Sequence, residues 1–260
     1  MLLAIDIGNT NIVLGVFEGG SLVRSWRLAT SRERTADELG LMVSQLLERG
    51  NVAASAIDGV VMASVVPQLT GPMIEMSRRY LGLAPLNIDA GIELGMPNLY
   101  AHPSEVGADR LVNGIAAYEG YGRLRGTPLV VVDFGTATTF DAISQKGEYL
   151  GGVICPGIQI SADALFQRAA RLPRIDVKKP ASVIGRTTVA SMQSGLFFGY
   201  VEMVQGLVRR LRHELGGSAF CVATGGLADV ISPETDVVDA VDRDLTLQGL
   251  RIVWERNKGE

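Results

Sequence analysis

The chain has 260 residues, of which 47% are hydrophobic and 20% charged, enough for one large or two modest domains with a sizeable core. Its formal net charge of −4 supplies no positive field for nucleic acid, and no stretch approaches the roughly 18 consecutive apolar residues of a membrane span. We therefore expect a protein with no nucleic-acid partner and no membrane association.

The cysteines and histidines suggest the compartment and limit the metal chemistry. Cys155 and Cys221 lie in separate apolar runs, so we expect buried thiols in a reducing cytoplasm. The two histidines lie far apart and no cysteine cluster accompanies them, which leaves a structural zinc site without ligands. An apolar run begins directly at the N-terminus with no basic region before it, so we expect no signal peptide.

The first predicted element is a β-hairpin around a polar turn that contains glycine. An apolar run ends in the lone carboxylate of Asp6, the turn spans residues 8–11, and a second apolar run continues to Phe17. Gly8 lets the backbone approach a ligand, and successive N–H groups in such a turn form a concave anion site. A carboxylate there would repel phosphate unless a cation lies between them, so the stretch predicts a phosphate cradle with Asp6 placed for Mg²⁺. The alternative is an ordinary hairpin with polar turn residues.

A strand over residues 22–28 and a helix with marked ends follow the hairpin. Thr35 and Glu38 match a capping box, apolar residues then repeat at helical spacing, and Gly50 ends the helix. The remaining elements of this half are a buried parallel strand ended by Pro67, a helix and a short strand, over residues 57–66, 73–81 and 86–88. This order is typical of an α/β domain with a mixed sheet.

The segment 91–110 interrupts the regular pattern. Its two prolines and three glycines forbid a regular element, and loops of this length in compact domains tend to be functional. The loop ends in Gly107-Ala108-Asp109-Arg110, which opens a helix to about Tyr118. Asp109 therefore lies near a helix N-terminus, where its simplest role is a cap or a first-turn acid that complements the helix dipole.

The pattern of the first hairpin returns in the second half. An apolar run from Leu129 ends in Asp133-Phe-Gly135, and hydroxyl side chains and a second apolar run follow. A third glycine turn, Gly225-Gly226, follows another apolar run. Self-similarity on this scale indicates two related half-domains. Three glycine turns at strand ends, two of them with Asp, predict a phosphate-binding cleft between two lobes.

The rest of the second half is predicted to be mostly helical. A long helix over 189–215, capped by Thr187 or Thr188, has a broad apolar side that we expect to be partly core and partly a homodimer face. The other predicted elements are a strand at 149–155, a helix at 157–170, a mobile flap at 172–187, a short strand near 237–238 and a closing helix at 245–254.

Five motifs, taken in order along the chain, resemble those of type III pantothenate kinases, a family of the actin-like ATPase and sugar kinase superfamily. The motifs are Asp6-Ile-Gly8-Asn9-Thr10, Gly107-Ala-Asp109-Arg110, Asp133-Phe-Gly135-Thr136-Ala-Thr138, Gly151-Gly152-Val-Ile-Cys-Pro156-Gly157 and Thr224-Gly225-Gly226. Each motif alone is common, but together they cover essentially the whole chain.

The resemblance implies an α/β fold of two ribonuclease-H-like lobes, each a mixed β-sheet flanked by helices, with an interlobe cleft. The expected boundaries are an N-terminal lobe over 1–118, which contains the pantothenate loop 91–110, and a C-terminal lobe over 119–260, which contains the dimer helix 189–215. It also implies ATP-dependent phosphorylation of the primary hydroxyl of pantothenate, the first step towards coenzyme A, by a cytoplasmic homodimer that uses Mg²⁺ and a monovalent cation, K⁺ or NH₄⁺.

The resemblance also assigns roles by position. Asp109 is the proton acceptor, Asp133 the ligand of the monovalent cation, and Asp6 acts on Mg²⁺ through water. ATP binding falls to Asp6, Ile7, Gly8, Asn9, Thr10, Asn11, Ile12, Val13 and Thr136. Pantothenate binding falls to Tyr100, Gly107, Ala108, Asp109, Arg110 and Thr188. Arg110 either holds the carboxylate of pantothenate in a bidentate fork or pairs with a protein acid, and the sequence leaves both open.

Two other functions stay open on the sequence. Another small-molecule kinase of the superfamily would keep both Asp-x-Gly turns but differ around Tyr100 and 107–110. A non-catalytic nucleotide-responsive protein would bind ATP without phosphate transfer. The chain lacks Gly-x-x-x-x-Gly-Lys-Ser/Thr, so the phosphate site is not a P-loop.

Overall fold

The computed structural model describes residues 1–89 and 91–258, which form two compact units. The first unit contains Met1–Pro97, Ala101–Ala116 and residues 244–258, and the second contains Asn98–Tyr100 and Ala117–Arg243. The helix after residue 244 therefore groups with the first unit, whereas the expected boundary at 118/119 placed it in the second. The three residues 98–100 group with the second unit although both of their flanks belong to the first.

The first unit is built on a five-stranded mixed sheet. The strands are β1 (Leu2–Ile7), β2 (Asn11–Glu18), β3 (Ser21–Ala29), β4 (Gly59–Ser64) and β5 (Leu86–Asn87). Their order is β3-β2-β1-β4-β5, in which β2 lies antiparallel and β4 parallel to β1. Residues 3–7 and 59–63 of the two central strands are buried apart from Asp6, as expected for strands covered on both faces.

Three main helices and a closing helix belong to this unit. They are α1 (Ala36–Arg49), α2 (Pro67–Met76), α3 (Ala108–Ala117) and a C-terminal helix at Leu245–Asn257. The capping box is confirmed, because the Thr35 side chain accepts from the Glu38 N–H while the Glu38 side chain accepts from the Thr35 N–H. The helix predicted over 73–81 begins earlier, since Pro67 occupies its first turn, and a π-helical turn at Ser77–Leu81 extends it.

The second unit repeats this sheet. Its strands are β6 (Leu129–Phe134), β7 (Ala137–Ile143), β8 (Tyr149–Pro156), β9 (Phe220–Thr224) and β10 (Ala240–Val241). Their order is β10-β9-β6-β7-β8, with β7 antiparallel and β9 parallel to β6. The strand expected near 237–238 lies at Ala240–Val241 instead. The helices of this unit are α4 (Arg123–Arg125), α5 (Ile158–Arg168), α6 (Thr188–Glu214) and α7 (Ala228–Ile231). The C-terminal helix of the first unit, Leu245–Asn257, is named α8.

The two sheets have the same topology, because β1, β2, β3, β4 and β5 correspond to β6, β7, β8, β9 and β10 in position. The internal repeat predicted from the sequence is therefore confirmed. Asp6 is the fifth residue of β1 and Asp133 the fifth of β6. Both strands have the same burial pattern, in which every residue except that aspartate is buried. The hairpin partner strand has the same burial pattern in both units over its first seven residues. The repeat therefore places the two aspartates at equivalent positions of equivalent sheets.

The segment 172–187 has neither helix nor strand, but it is hydrogen-bonded to the long helix α6. Gln193 donates to the Asp176 carbonyl at 3.1 Å and Ser191 to the Gly185 carbonyl at 3.2 Å. Thr187 is the residue that caps α6, accepting from the Ala190 N–H at 3.2 Å. The mobility expected for this segment stays a prediction.

Among residues 1–89 and 91–258, no helix combines the length and apolar character needed to cross a bilayer.

Candidate active site

The turn after β1 is fastened to the end of β3. The Gly8 N–H donates to the Asn11 carbonyl at 2.9 Å, which closes the turn. Thr30 holds it from outside, because its hydroxyl donates to the Gly8 carbonyl at 2.7 Å and its N–H donates to the Thr10 carbonyl at 2.9 Å. Asn9 and Thr10 are exposed at the tip. The turn is thus a supported, polar projection at the end of a buried strand.

The hairpin residues that are predicted to bind ATP differ in their exposure. Asp6 is partly exposed, opposite Val13 of β2 and Ala63 of β4. The side chains of Ile7 and Ile12 are completely buried in the core, so any contact they make with a nucleotide is confined to their backbone.

The equivalent turn of the second unit is packed against a glycine. Asp133 lies opposite Thr139 of β7 and Thr224 of β9. Gly225, which follows β9, adopts a φ of +92°, and a Cβ built there would lie 2.4 Å from Asp133 Oδ1 and 2.6 Å from the Phe134 nitrogen. A backbone approach this close requires glycine at position 225.

Thr136 lies on the exposed turn between β6 and β7, directly against the start of α5. A Cβ on Gly157 would lie 2.2 Å from the Thr136 carbonyl oxygen and 2.9 Å from that of Gly135. The Pro156-Gly157 motif therefore serves to seat the N-terminus of α5 on this turn.

Asp109 lies in the first turn of α3, where its carboxylate folds back over the helix start. Its Oδ1 accepts the Arg110 N–H at 2.9 Å, and a Cβ on Gly107 would lie 2.5 Å from the same oxygen. Burial raises the pKa of Asp109 above the usual value of 3.8, although the Arg110 N–H and guanidinium oppose the rise. A first-turn acid that only complements the helix dipole is typically exposed and keeps a low pKa, so this environment favours the functional role.

Asp6 and Asp109 are brought to the same edge of the first sheet. The Val65 N–H, just after β4, donates to the Ile7 carbonyl at 3.0 Å. On its other side, Val65 lies 3.9 Å from the position of a Cβ on Gly107. The carboxyl ends of parallel strands in open α/β sheets are the usual place for ligands. Asp133 occupies the corresponding edge of the sheet in the second unit.

The other residues predicted to bind pantothenate are described unit by unit. Gly107, Ala108 and Arg110 accompany Asp109 in the first unit, and the Arg110 side chain is buried. Tyr100 belongs to the second unit, where its ring lies 6.4 Å from that of Tyr149. Thr188 is the exposed first residue of α6.

Three further residues hold or adjoin the predicted site residues, and the sequence analysis did not single them out. Thr30 gave no signal, because the turn it holds is 22 residues away. Asp141 did leave one, as a lone carboxylate inside the apolar second half of β7, and Tyr149 is its hydrogen-bond partner.

Comparison with known proteins identifies the family. A family model described as type III pantothenate kinase matches residues 2–210. The type III pantothenate kinase of Moorella thermoacetica is 56% identical over 257 residues, covering 99% of this chain and 100% of the relative. That of Geobacter sulfurreducens is 50% identical over 258 residues, with coverage of 99% and 100%.

Solved structures support the fold. A conserved Baf family protein of Campylobacter jejuni aligns with a TM-score of 0.63 at 20% identity, over 99% of this chain and all of that one. An inorganic polyphosphate/ATP-glucomannokinase from Arthrobacter aligns with a TM-score of 0.53 at 18% identity, over 98% of both chains. These likenesses confirm the predicted fold of two mixed sheets flanked by helices. Since the family model spans most of the chain and both relatives match it end to end, the chain belongs to the type III pantothenate kinase family.

Proposed function

We propose that the chain transfers the γ-phosphate of ATP to the primary hydroxyl of pantothenate, giving 4′-phosphopantothenate, with Asp109 as the base. The observation that carries the proposal is the half-buried Asp109 carboxylate, which lies on the same sheet edge as the Asp6 turn. Family membership supports the reaction, which is the first step of coenzyme A biosynthesis.

Asp109 suits a reaction in which the proton leaves late. Phosphoryl transfer passes through a loose transition state, so the protein mostly positions groups and balances charge. The backbone N–H of Arg110 fixes one carboxylate oxygen at 2.9 Å, which sets the direction of the group. Burial makes the carboxylate a better proton acceptor than an exposed aspartate, because its pKa is raised.

The phosphates of ATP are proposed to lie on the Asp6–Val13 turn and near Thr136. Bound Mg²⁺ would screen the negative charge of the transferring phosphate, and Asp6 would hold it through water. Across residues 1–89 and 91–258 no group of three or more His, Cys, Asp or Glu side chains could hold a metal ion. A Mg²⁺ held by one carboxylate and the nucleotide's own phosphates needs no such group, so the donor set fits.

The monovalent cation is proposed to bind Asp133. Gly225 lets the backbone after β9 approach the Asp133 carboxylate closely, and Thr224 and Thr139 flank it in the sheet. This is an oxygen-rich surrounding of the kind that a hard cation prefers. K⁺ or NH₄⁺ at Asp133 would offset the charge that the carboxylate otherwise presents to the nucleotide.

Pantothenate is proposed to bind Tyr100, Gly107, Ala108, Asp109, Arg110 and Thr188. Arg110 offers a planar guanidinium that matches a carboxylate in a bidentate pair, so we assign it the carboxylate of pantothenate.

The chain is proposed to form a homodimer through an apolar surface of the second unit. Helix α5, the end of β8, the segment 172–187 and the start of α6 leave large apolar side chains exposed. An apolar groove lined by Ala164, Leu165 and Leu196 runs beside them. The exposed residues are Ile154, Ile160, Leu165, Phe166, Val183, Ile184 and Val189. A patch of this kind is typical of a protein interface, and the occupant we propose is a second copy of the chain.

The dimer is tested by light scattering on a size-exclusion column. We expect twice the chain mass of 27.7 kDa for the wild type and the single mass for the double variant Leu165→Asp, Phe166→Asp. Leu124→Asp, at an 88% exposed leucine on α4, is the matched control and stays dimeric. A monomeric wild type would contradict the proposal.

The function is tested by coupled measurement of ADP release with pantothenate, simple sugars and acetate as acceptors, in potassium, ammonium and sodium buffers. We expect turnover with pantothenate alone, and only in potassium or ammonium. Turnover with a sugar would favour another kinase of the superfamily, and ATP binding without turnover on any acceptor would favour a regulator. Full activity in sodium alone would rule out the cation requirement.

A further inference from the structure

A carboxylate is buried in the second unit at a position where the fold does not require one. Asp141 of β7 is completely buried, and both of its oxygens accept hydrogen bonds. The Tyr149 hydroxyl donates to Oδ1 at 2.7 Å, and the Thr139 hydroxyl donates to Oδ2 at 3.3 Å. Burying a charge is costly, so such a residue calls for an explanation.

The internal repeat supplies the comparison. By strand register, Asp141 corresponds to Gly15 of the first unit. Asp141 lies opposite Val131, two residues before Asp133, and Gly15 lies opposite Ala4, two residues before Asp6. Tyr149 corresponds likewise to Leu22. The first sheet thus forms with neither the carboxylate nor the hydroxyl. The hydrogen bond between Asp141 and Tyr149 is therefore expected to support a feature that only the second unit has.

The feature that only the second unit has is the segment 98–100, which is attached to Tyr149. The Leu99 N–H donates to the Tyr149 carbonyl at 2.8 Å, and Asn98 pairs with Tyr149 as an isolated parallel bridge. The Tyr100 ring lies 6.4 Å from the Tyr149 ring at an angle of 60°. The Tyr149 backbone therefore holds Leu99, the residue before Tyr100, and the Tyr149 ring packs against the Tyr100 ring.

Gly151 also packs against the Tyr100 ring. Gly151 has a φ of +129°, and a Cβ there would lie 3.4 Å from the Tyr100 ring. Tyr100 thus packs on a surface formed by two residues of β8, one of which is fixed by the buried carboxylate.

We infer that Asp141 and Tyr149 are positioning residues for pantothenate: the buried hydrogen bond fixes Tyr149, and Tyr149 fixes Tyr100 against the substrate. The inference rests on the proposed function, in which Tyr100 binds pantothenate. Both side chains are completely buried, so we expect their effect on the Michaelis constant for pantothenate to pass through Tyr100.

Tyr149→Phe tests the inference, because it removes one hydroxyl and keeps the ring. We expect the KM for pantothenate to rise about fivefold or more, with the KM for ATP unchanged. Tyr121→Phe is the matched control, since the Tyr121 hydroxyl donates to Asp242 Oδ2 at 3.1 Å in the same unit, and it leaves both constants unchanged. A merely structural hydroxyl would lower thermal stability in both variants without this selective rise.

A double-mutant cycle with Tyr100→Ala separates this inference from the proposed function. We expect Tyr100→Ala to raise the KM for pantothenate and Tyr149→Phe to add nothing in that background. Multiplied effects, or no effect of Tyr149→Phe alone, would overturn the positioning role and leave the Tyr100 site intact. No effect of Tyr100→Ala would overturn both.

Asp141→Asn provides a second variant, should Tyr149→Phe fail to fold. The amide keeps an oxygen for the Tyr149 hydroxyl but is a weaker acceptor than a carboxylate. We expect a smaller rise in the same constant, and an unchanged KM for pantothenate in a folded protein would count against the inference.

Discussion

Asp109→Asn is expected to lower kcat by about 10²- to 10⁴-fold, the usual contribution of a positioned general base. The amide cannot accept the proton of the pantothenate hydroxyl at the same oxygen with comparable basicity. It still offers an oxygen to the Arg110 N–H, which donates to Asp109 Oδ1 at 2.9 Å. We therefore expect the helix start to keep its geometry and the KM for ATP to stay near the wild-type value. Steady-state kinetics with both substrates measures this.

The same substitution should not destabilise the protein at neutral pH. Burial raises the folded-state pKa of Asp109 above its unfolded value, so the ionised carboxylate opposes folding once the pH exceeds the unfolded value. The neutral amide removes that cost. The free energy of unfolding at pH 7 is therefore expected to be equal or higher in Asp109→Asn. Lower stability together with lost activity would assign the residue a structural role instead.

The pH dependence of kcat/KM for pantothenate tests independently whether Asp109 is the base. Asp109 must be ionised to act, so wild-type kcat/KM for pantothenate is expected to fall as the pH is lowered through its raised pKa, above 3.8. The variant should lose this acid limb. Asp89→Asn is the matched control, because exposed Asp89 also accepts a nearby backbone N–H, that of Gly91 at 3.0 Å. It should keep both the activity and the limb.

The parts of the fold that depend on short-range chemistry could be predicted from the sequence. The capping box of α1 needs only Thr35 and Glu38, three residues apart. The two hairpins follow from apolar runs around a polar turn, and the repeat follows because both runs end in Asp-x-Gly. The positions of Asp6, Asp109 and Asp133 at element ends could be predicted for the same reason.

Features that depend on long-range packing could not be predicted in the same way. Helix α8 joins the first unit because Trp254 fits over Gly59, where a Cβ would lie 2.3 Å from the indole. The sequence predicts Pro67 only as the end of a strand, but a proline is equally suited to the first turn of a helix, and α2 begins there. The pairing of Asp141 with Tyr149 depends on the β7–β8 register, which the sequence alone does not fix.

Gly225→Ala is expected to lower kcat in potassium by about 10²-fold or more and to destabilise the protein by roughly 2–4 kcal/mol. Gly225 has a φ of +92°, which alone costs an alanine about 1–2 kcal/mol. Its new Cβ would also lie 2.4 Å from Asp133 Oδ1 and 2.6 Å from the Phe134 nitrogen. The carboxylate that we assign to the cation must then move, or the turn after β9 must open.

Gly216→Ala separates the two causes. Gly216 has a φ of +89° but nothing within 4 Å of a built Cβ, so this variant carries the conformational cost without the collision. We expect it to lose about 1–2 kcal/mol and to keep wild-type kcat. Denaturant unfolding and the potassium concentration for half-maximal activity, measured on both variants, decide the matter. If Gly225→Ala matched the control in both measurements, close packing against Asp133 would have no bearing on the cation, and the assignment of Asp133 would lose its structural support.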